Sequence, residues 1–368
     1  MLNTINISVC LDDNYFKPAY LLINSILQTN IATPFDFYII FDYLSEEHKL
    51  LFTHLSNDSI HFFFHKVNES DFKDCPIRDG DHVSLATYYR LLLPAFLPKN
   101  VQKVLYLDGD MLCFSSLRGL YDINIKDYSL AASYDSQCFN SERKRLIDLN
   151  NESPYFAAGV LLVNLDYWRQ NNIQKKTMDY IKDNAEKLLW HDQDVLNAVL
   201  EGTIKQLDFR YNFYETYFKG PEKSSMSNKL WQEVVLAKKN ICLLHFSQSE
   251  KPWHIECYHP LKQIWRDYYK AVFKHKPKLR FKYNGKTRLS FLKRKLLSII
   301  FRFPMNASYE PVSTELKQNL KKSLGKKKAE LLTLPPDKCA KLIENYNGLA
   351  ETAQIARIAS AITHFMCG

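Results

Sequence analysis

The stretch Lys103-Val104-Leu105-Tyr106-Leu107-Asp108-Gly109-Asp110 sets two carboxylates two residues apart at the end of a short apolar run. The run has the length and composition of a buried strand. On either side of it the chain alternates apolar strands with amphipathic helices, the pattern of an α/β layer protein with a mostly parallel sheet flanked by helices. Upstream, strands are expected at Ile5 to Leu11, Phe35 to Phe41, Ile60 to Val67 and Val101 to Leu107. Helices are expected at Pro18 to Thr29, behind Ser45 as an N-cap, and at Leu85 to Leu93. Downstream, strands fall at Leu130 to Ser133, Ala158 to Leu165 and Ile241 to Phe246, with a long helical stretch over Trp168 to Leu188 and a second helix opening near Asp192. In open α/β sheets ligands bind beyond the carboxyl ends of strands, and paired Asp oxygens are hard donors for Mg²⁺ or Mn²⁺ bridging phosphates. Asp108 and Asp110 therefore read as a metal-diphosphate site, against the plainer alternative of a solvated acidic turn.

Three further motifs lie at element ends. Leu11-Asp12-Asp13-Asn14-Tyr15 follows the first strand and offers acceptors for a base or ribose with a ring able to stack, although such loops are also ordinary turn chemistry. Two such loops in one sheet point to a nucleotide. His245-Phe246-Ser247-Gln248-Ser249-Glu250-Lys251-Pro252-Trp253 follows the last strand with an imidazole, a possible third metal ligand, and a lysine suited to a phosphate. A lone histidine at a strand end is as readily structural. Trp190-His191-Asp192-Gln193-Asp194-Val195-Leu196-Asn197 gathers acids and amides at a helix start, where N-capping by Asp192 is the bland alternative.

Composition sets the outer bounds. With 368 residues, 46% hydrophobic and 14% aromatic, global disorder is excluded, and no apolar run approaches the ~20 residues of a membrane span. The N-terminus has no basic residue before Lys17 and no small-residue cleavage site, so a cytoplasmic protein is expected. The eight cysteines show no paired spacing and read as free thiols. Net charge is +9, yet Tyr268 to Tyr309 holds twelve Lys or Arg and no acid, leaving 37 basic against 40 acidic residues elsewhere. This local basicity argues against a nucleic-acid surface and for a patch meeting something anionic. Within it, residues 289, 292, 296, 300 and 303 form an apolar stripe of helical period beside Arg288, Lys293, Arg294 and Lys295. Three regions are expected: a sheet domain over 1–267, a basic amphipathic segment over 268–305, and a helical appendage over 306–368.

Together and in this order the motifs resemble glycosyltransferase family 8, retaining transferases that include bacterial lipopolysaccharide α-galactosyl- and α-glucosyltransferases and glycogenin. The resemblance spans roughly residues 4 to 265. It implies a GT-A fold, a UDP-hexose donor, and Mn²⁺, or Mg²⁺, held by Asp108, Asp110 and His245. It further implies that Asp12, Asn14 and Tyr15 contact uridine, that Lys251 meets the diphosphate, and that His82 and Arg90 lie beside the donor. Asp192 and Gln193 would hold the donor sugar. Asp194 is the adjacent carboxylate to test as a nucleophile, with front-face attack the reading adopted. Two positions depart from the family pattern: Ala157 stands where the family usually has Asn, and Gln248 where it has Gly.

The implied reaction moves galactose or glucose to a lipopolysaccharide or lipooligosaccharide core acceptor with α stereochemistry. The basic stripe suits an anionic membrane surface, placing the enzyme on the inner face of the cytoplasmic membrane. A nucleotidyltransferase would need a Gly-rich phosphate loop after the first strand, and Leu11 to Tyr15 has none. A non-catalytic nucleotide-sugar or polyanion binder remains the rival from another class.

Overall fold

The computed structural model describes residues 3–78, 84–283, 285–301 and 309–325. Its strands are β1 (Ile5–Cys10), β2 (Phe35–Phe41), β3 (Ile60–Lys66), β4 (Lys103–Leu107), β5 (Met111–Cys113), β6 (Leu130–Ala132), β7 (Val160–Asn164), β8 (Ile204–Gln206), β9 (Phe213–Tyr214) and β10 (Leu243–His245). Among the described residues they form a seven-stranded sheet in the order β3-β2-β1-β4-β7-β6-β8 and a three-stranded sheet in the order β5-β10-β9. β1 is parallel to both β2 and β4, and β7 runs antiparallel to β4 and β6, so the large sheet is mostly parallel. The central strands are almost wholly buried, as expected when helices cover both faces. The helix Phe16–Thr29 buries Leu21, Leu22, Ile26 and Leu27. Its Ala19 lies so near the β4–β5 turn that a Cβ on Gly109 would come within 3.3 Å of the Ala19 Cβ.

The strand order contains a switch point. β1 sits between β2 and β4, with Ile7 opposite Leu105 and Ser8 opposite Tyr106, and the chain's progression across the sheet reverses there. The loops leaving the carboxyl ends of β1 and β4, Leu11 to Tyr15 and Asp108 to Asp110, emerge side by side at this switch point.

Two expectations are refined, and one sheet is new. Leu85–Leu92 is a 3₁₀ helix rather than an α-helix, followed by a short α-turn Leu93–Phe96. Pro94 has no N–H for the Arg90 carbonyl, so an α-helical ladder cannot run through it. The stretch Trp168 to Leu188 breaks into Leu165–Gln170, Ile173–Asn184 and a 3₁₀ turn Ala185–Lys187, because Asn172 adopts a left-handed φ of 52°. Asn tolerates that conformation better than most residues. The small sheet was not foreseen as a sheet: β5 and β9 are three and two residues long, too short to show a period.

The described residues divide into two compact units. The first takes Met1–Leu44, Ser56–Ser249 and Ser308–Pro311, and the second Ser45–Leu55, Glu250–Ala307 and Val312–Gly368, so far as these are described. In the second, Ser45 caps its helix by accepting from the His48 N–H, and Asp267 pairs with Lys321 at 2.9 Å across the helices Lys262–Phe273 and Thr314–Gly325. The helix Gly285–Phe301 exposes Leu289 and Leu292. The side chains at 296 and 300, residue 303, and residues 326–368 of the appendage lie outside the described part. No described helix is long and apolar enough to cross a membrane. The six described cysteines are free and buried, while Cys339 and Cys367 fall outside the described residues.

Candidate metal and donor site

Asp108 follows β4, Asp110 precedes β5, and His245 ends β10, which pairs antiparallel with β5 so that His245 stands opposite Met111. The pairing brings one ligand atom from each of Asp108, Asp110 and His245 within 4.8 Å of one another. His245 Nε2 lies 3.1 Å from Asp110 Oδ1 and 3.7 Å from Asp108 Oδ2. On its far side His245 Nδ1 meets Asn212 Oδ1 at 3.0 Å, so Nδ1–H donates there and the Nε2 lone pair faces the carboxylates. Two carboxylates and an imidazole, mostly buried and oriented from behind, fit a divalent cation such as Mn²⁺ or Mg²⁺.

Gly159 makes room for this cluster. A Cβ there would stand 2.5 Å from His245 Cε1 and 3.1 Å from Asp108 Oδ2. Gly159→Ala is therefore expected to weaken Mn²⁺ binding about ten- to a hundredfold while the fold persists, as loss of ligand orientation does elsewhere. Titration calorimetry checks it; unchanged affinity would mean that His245 need not be where the structure puts it.

Arg90 is the hub behind the Asp108-Asp110-His245 cluster. Its Nη2 donates to Asp108 Oδ1 at 2.8 Å, Nη1 to the Ala158 carbonyl at 2.6 Å, and Nε pairs with Asp192 Oδ2 at 3.0 Å. The guanidinium lies 4.2 Å over the Tyr106 ring, and the Tyr106 hydroxyl donates to the same Asp108 oxygen at 2.7 Å. Burial alone would push Arg90 down, but Asp108 and Asp192 reverse this and raise its pKa, so it stays charged. One buried cation thus ties Asp108 to the helix start at Asp192.

That helix, His191–Val199, begins at a strained residue, His191 with φ 52°. Asp192 also accepts from the Thr87 hydroxyl at 2.5 Å, and burial, opposed by Arg90 and Thr87, pushes its carboxyl up to about 6. A group with that value is about a tenth ionised at pH 5 and nine-tenths at pH 7. If ionised Asp192 is the working form, donor turnover should fall about tenfold from pH 7 to pH 5, and Asp192→Asn should flatten that limb. A pH-rate profile of both proteins decides.

Gln193 is fixed at both ends of its amide: Oε1 accepts from the Ala158 N–H at 2.9 Å and Nε2 donates to Asp135 Oδ2 at 3.4 Å. Both Asp194 oxygens are engaged, Oδ1 by the Tyr155 hydroxyl at 2.5 Å and Oδ2 by the Trp190 N–H at 2.6 Å. The bland alternative of N-capping by Asp192 does not hold: Trp190 is the N-cap residue, without a side-chain cap, and Asp194 accepts from its N–H. Asn197 clasps Phe156 through both its backbone groups, holding the 155–159 loop against this helix. Ala157 is buried in that loop, its N–H donating to the Ser133 carbonyl.

Of the remaining expected residues, Asp12 caps the turn Asp13–Tyr15 and Asn14 is exposed. The Tyr15 hydroxyl reaches Asp110 Oδ2 at 3.5 Å, linking the loop after β1 to the Asp108-Asp110-His245 cluster. His82 lies outside the described residues. Lys251 belongs to the second unit, where its side chain is buried and its N–H donates to His254 Nδ1. Gln248 Oε1 accepts from the Tyr309 hydroxyl at 2.9 Å. Sequence reasoning missed Gly159, Asn212, Tyr106, Thr87 and Asp135. Only Gly159 carried a usable signal, a lone glycine just before a buried strand.

The family model described as Glycosyl transferase family 8 matches residues 6–257. A lipopolysaccharide 1,2-glucosyltransferase of Escherichia coli is 30% identical over 296 residues, covering 76% of this chain and 85% of that one. A lipopolysaccharide 1,3-galactosyltransferase of Salmonella typhimurium is 27% identical, covering 70% and 75% respectively. Among solved structures, the galactosyltransferase LgtC in complex with donor and acceptor sugar analogs superposes with a TM-score of 0.64 at 25% identity, covering 78% of this chain and all of that one.

Proposed function

The chain belongs to glycosyltransferase family 8, with its GT-A fold, and on that footing we propose that it moves glucose or galactose from a UDP-sugar to a lipopolysaccharide or lipooligosaccharide core with retention of the α configuration. The observation that carries this reading is the Asp108-Asp110-His245 cluster at the sheet's switch point, beside the Leu11 to Tyr15 loop. A bound Mn²⁺ would neutralise the charge that develops on the departing diphosphate. The chain's own residues do the rest. Arg90 holds Asp108 in place and keeps Asp192 ionised near neutral pH, and Asp192 with Gln193 positions the donor hexose by its hydroxyls. Asp12, Asn14 and Tyr15 take the uridine.

Front-face attack by the acceptor is the mechanism these contacts support. Both Asp194 oxygens accept hydrogen bonds, Asp192 is paired with Arg90, and the Gln193 carbonyl oxygen is occupied by the Ala158 N–H, so none of the three is poised as a nucleophile. The acceptor hydroxyl would lose its proton toward the departing phosphate oxygens as the sugar passes through an oxocarbenium-like state.

The test is incubation with UDP-glucose or UDP-galactose, Mn²⁺ and isolated core oligosaccharide. A product one hexose heavier with an α-anomeric coupling by NMR supports the reading. A β-linked product would overturn retention, and nucleotide binding without transfer across a panel of cores would favour a non-catalytic binder.

The basic segment adds a location, the inner face of the cytoplasmic membrane. Leu289 and Leu292 are exposed on the helix Gly285–Phe301 beside Lys293, an arrangement suited to an anionic bilayer surface. Leu289→Asp with Leu292→Asp is expected to reduce sedimentation with phosphatidylglycerol vesicles about tenfold. Equal sedimentation of both proteins would remove the stripe from membrane binding.

A further inference from the structure

The loop Phe246 to Ser249 follows directly on the metal ligand His245, and it is pinned within the first unit by three different parts of the chain. The Phe246 N–H donates to the Asp110 carbonyl at 3.0 Å. The Ser247 hydroxyl donates to the buried Glu215 carboxylate, 2.9 Å from Oε2. Gln248 is held by the hydroxyl of Tyr309, 61 residues further along the chain. Tyr309 arrives there on a segment that is itself anchored. The Glu310 N–H donates to the Phe218 carbonyl at 2.7 Å, and the Glu310 carboxylate pairs with Lys238 Nζ at 3.0 Å. Lys219 Nζ lies 5.2 Å over the Tyr309 ring, and Lys238 Nζ 5.2 Å over the Phe218 ring. Three contacts besides the Gln248 hydrogen bond fix these two consecutive residues, more than a passing chain needs.

We infer that Tyr309 and Glu310 form a strap that positions the loop 246–249, making a segment beyond the basic helix a working part of the donor site. In its donor half the inference rests on the proposed function, which places the diphosphate of a UDP-sugar at this loop. It also accounts for Gln248. A glycine would leave the loop no side chain to tether, whereas Gln248 supplies an amide oxygen for Tyr309. Loop and strap act as a matched pair: the loop gives up backbone freedom and gains an external post. Tyr309 is a positioning residue, acting through Gln248 rather than on the substrate.

The full-length chain tests this with Tyr309→Phe, Gln248→Ala, their double variant, Glu310→Lys, and the charge exchange Glu310→Lys with Lys238→Glu. Two readouts are taken: hydrogen exchange of amides 246–249, and calorimetric affinity for UDP with Mn²⁺. Each single variant should speed exchange in the loop and weaken UDP about three- to tenfold, the span of one hydrogen bond or ion pair. The Tyr309→Phe/Gln248→Ala double should be no worse than either single, and the charge exchange should recover part of the loss. Unchanged exchange in all single variants would overturn the strap. Faster exchange with unaltered UDP affinity would overturn its positioning role. Should the unaltered protein bind no UDP at all, the proposed function and the donor half fall together, and exchange alone still decides whether the strap holds the loop.

Discussion

Replacing Asp110 by alanine is expected to lower UDP-sugar turnover about a hundred- to a thousandfold, the cost typical of losing a group that stabilises developing charge. Asp108→Ala should cost at least as much, and the two variants should differ in a second property. Asp108 is also a counter-ion of the buried Arg90, at 2.8 Å, whereas the Asp110 carboxylate lies against His245 and Tyr15. Asp108→Ala should therefore lose folding stability as well as activity, and Asp110→Ala chiefly activity. Turnover and urea unfolding measured on both proteins separate the outcomes. If both keep full Mn²⁺-dependent turnover, the metal assignment is wrong.

The largest stability effect is expected at Arg90. Arg90→Met removes the cation shared by Asp108 and Asp192 and leaves the Asp192 carboxylate buried without it. Breaking a buried ion pair from one side costs about 3–5 kcal/mol, against the near-neutral result of replacing a whole pair by apolar residues. Asp192 should respond too: Arg90 is the leading influence holding its pKa down, so without it the carboxyl should rise further above about 6. A raised carboxylate pKa means that the native state binds more protons than the unfolded chain, so this group's contribution to stability falls as pH rises from the ordinary carboxylate range through about 6. The stability deficit of Arg90→Met relative to the unaltered protein should accordingly be smaller at pH 5 than at pH 7. An equal deficit at both pH values would show that Asp192 does not depend on Arg90.

Much of this arrangement was legible in the sequence because it obeys local rules. The strand running up to Asp108, the loop after β1, and His245 closing a short apolar run each announce an element end, and element ends are where α/β sheets place ligands. What stayed hidden is what only three-dimensional proximity creates. Nothing near Asn212 in the sequence marks it as the partner of His245, and β9, beside it, has two residues and no period. Arg90 was expected beside the donor, but its simultaneous grip on Asp108, Ala158 and Asp192 depends on β4, the 155–159 loop and the His191–Val199 helix converging. Gln193 and Asp194 are adjacent in sequence and alike in polarity; only the structure separates the amide facing Asp135 from the carboxylate buried under Tyr155 and Trp190. The split of Trp168 to Leu188 turned on one left-handed Asn172, whose Asn-Asn context was visible but outweighed by the helical period around it.

We propose the Asp108-Asp110-His245 cluster as the metal-dependent donor site of a UDP-hexose transferase. UDP release by the purified chain is to be followed from a panel of UDP-hexoses, with and without Mn²⁺ and with no acceptor present. Slow release from UDP-glucose or UDP-galactose that requires Mn²⁺ and disappears in Asp110→Ala is the predicted result. Release that is indifferent to metal, or no release together with no calorimetric binding of UDP, would contradict it.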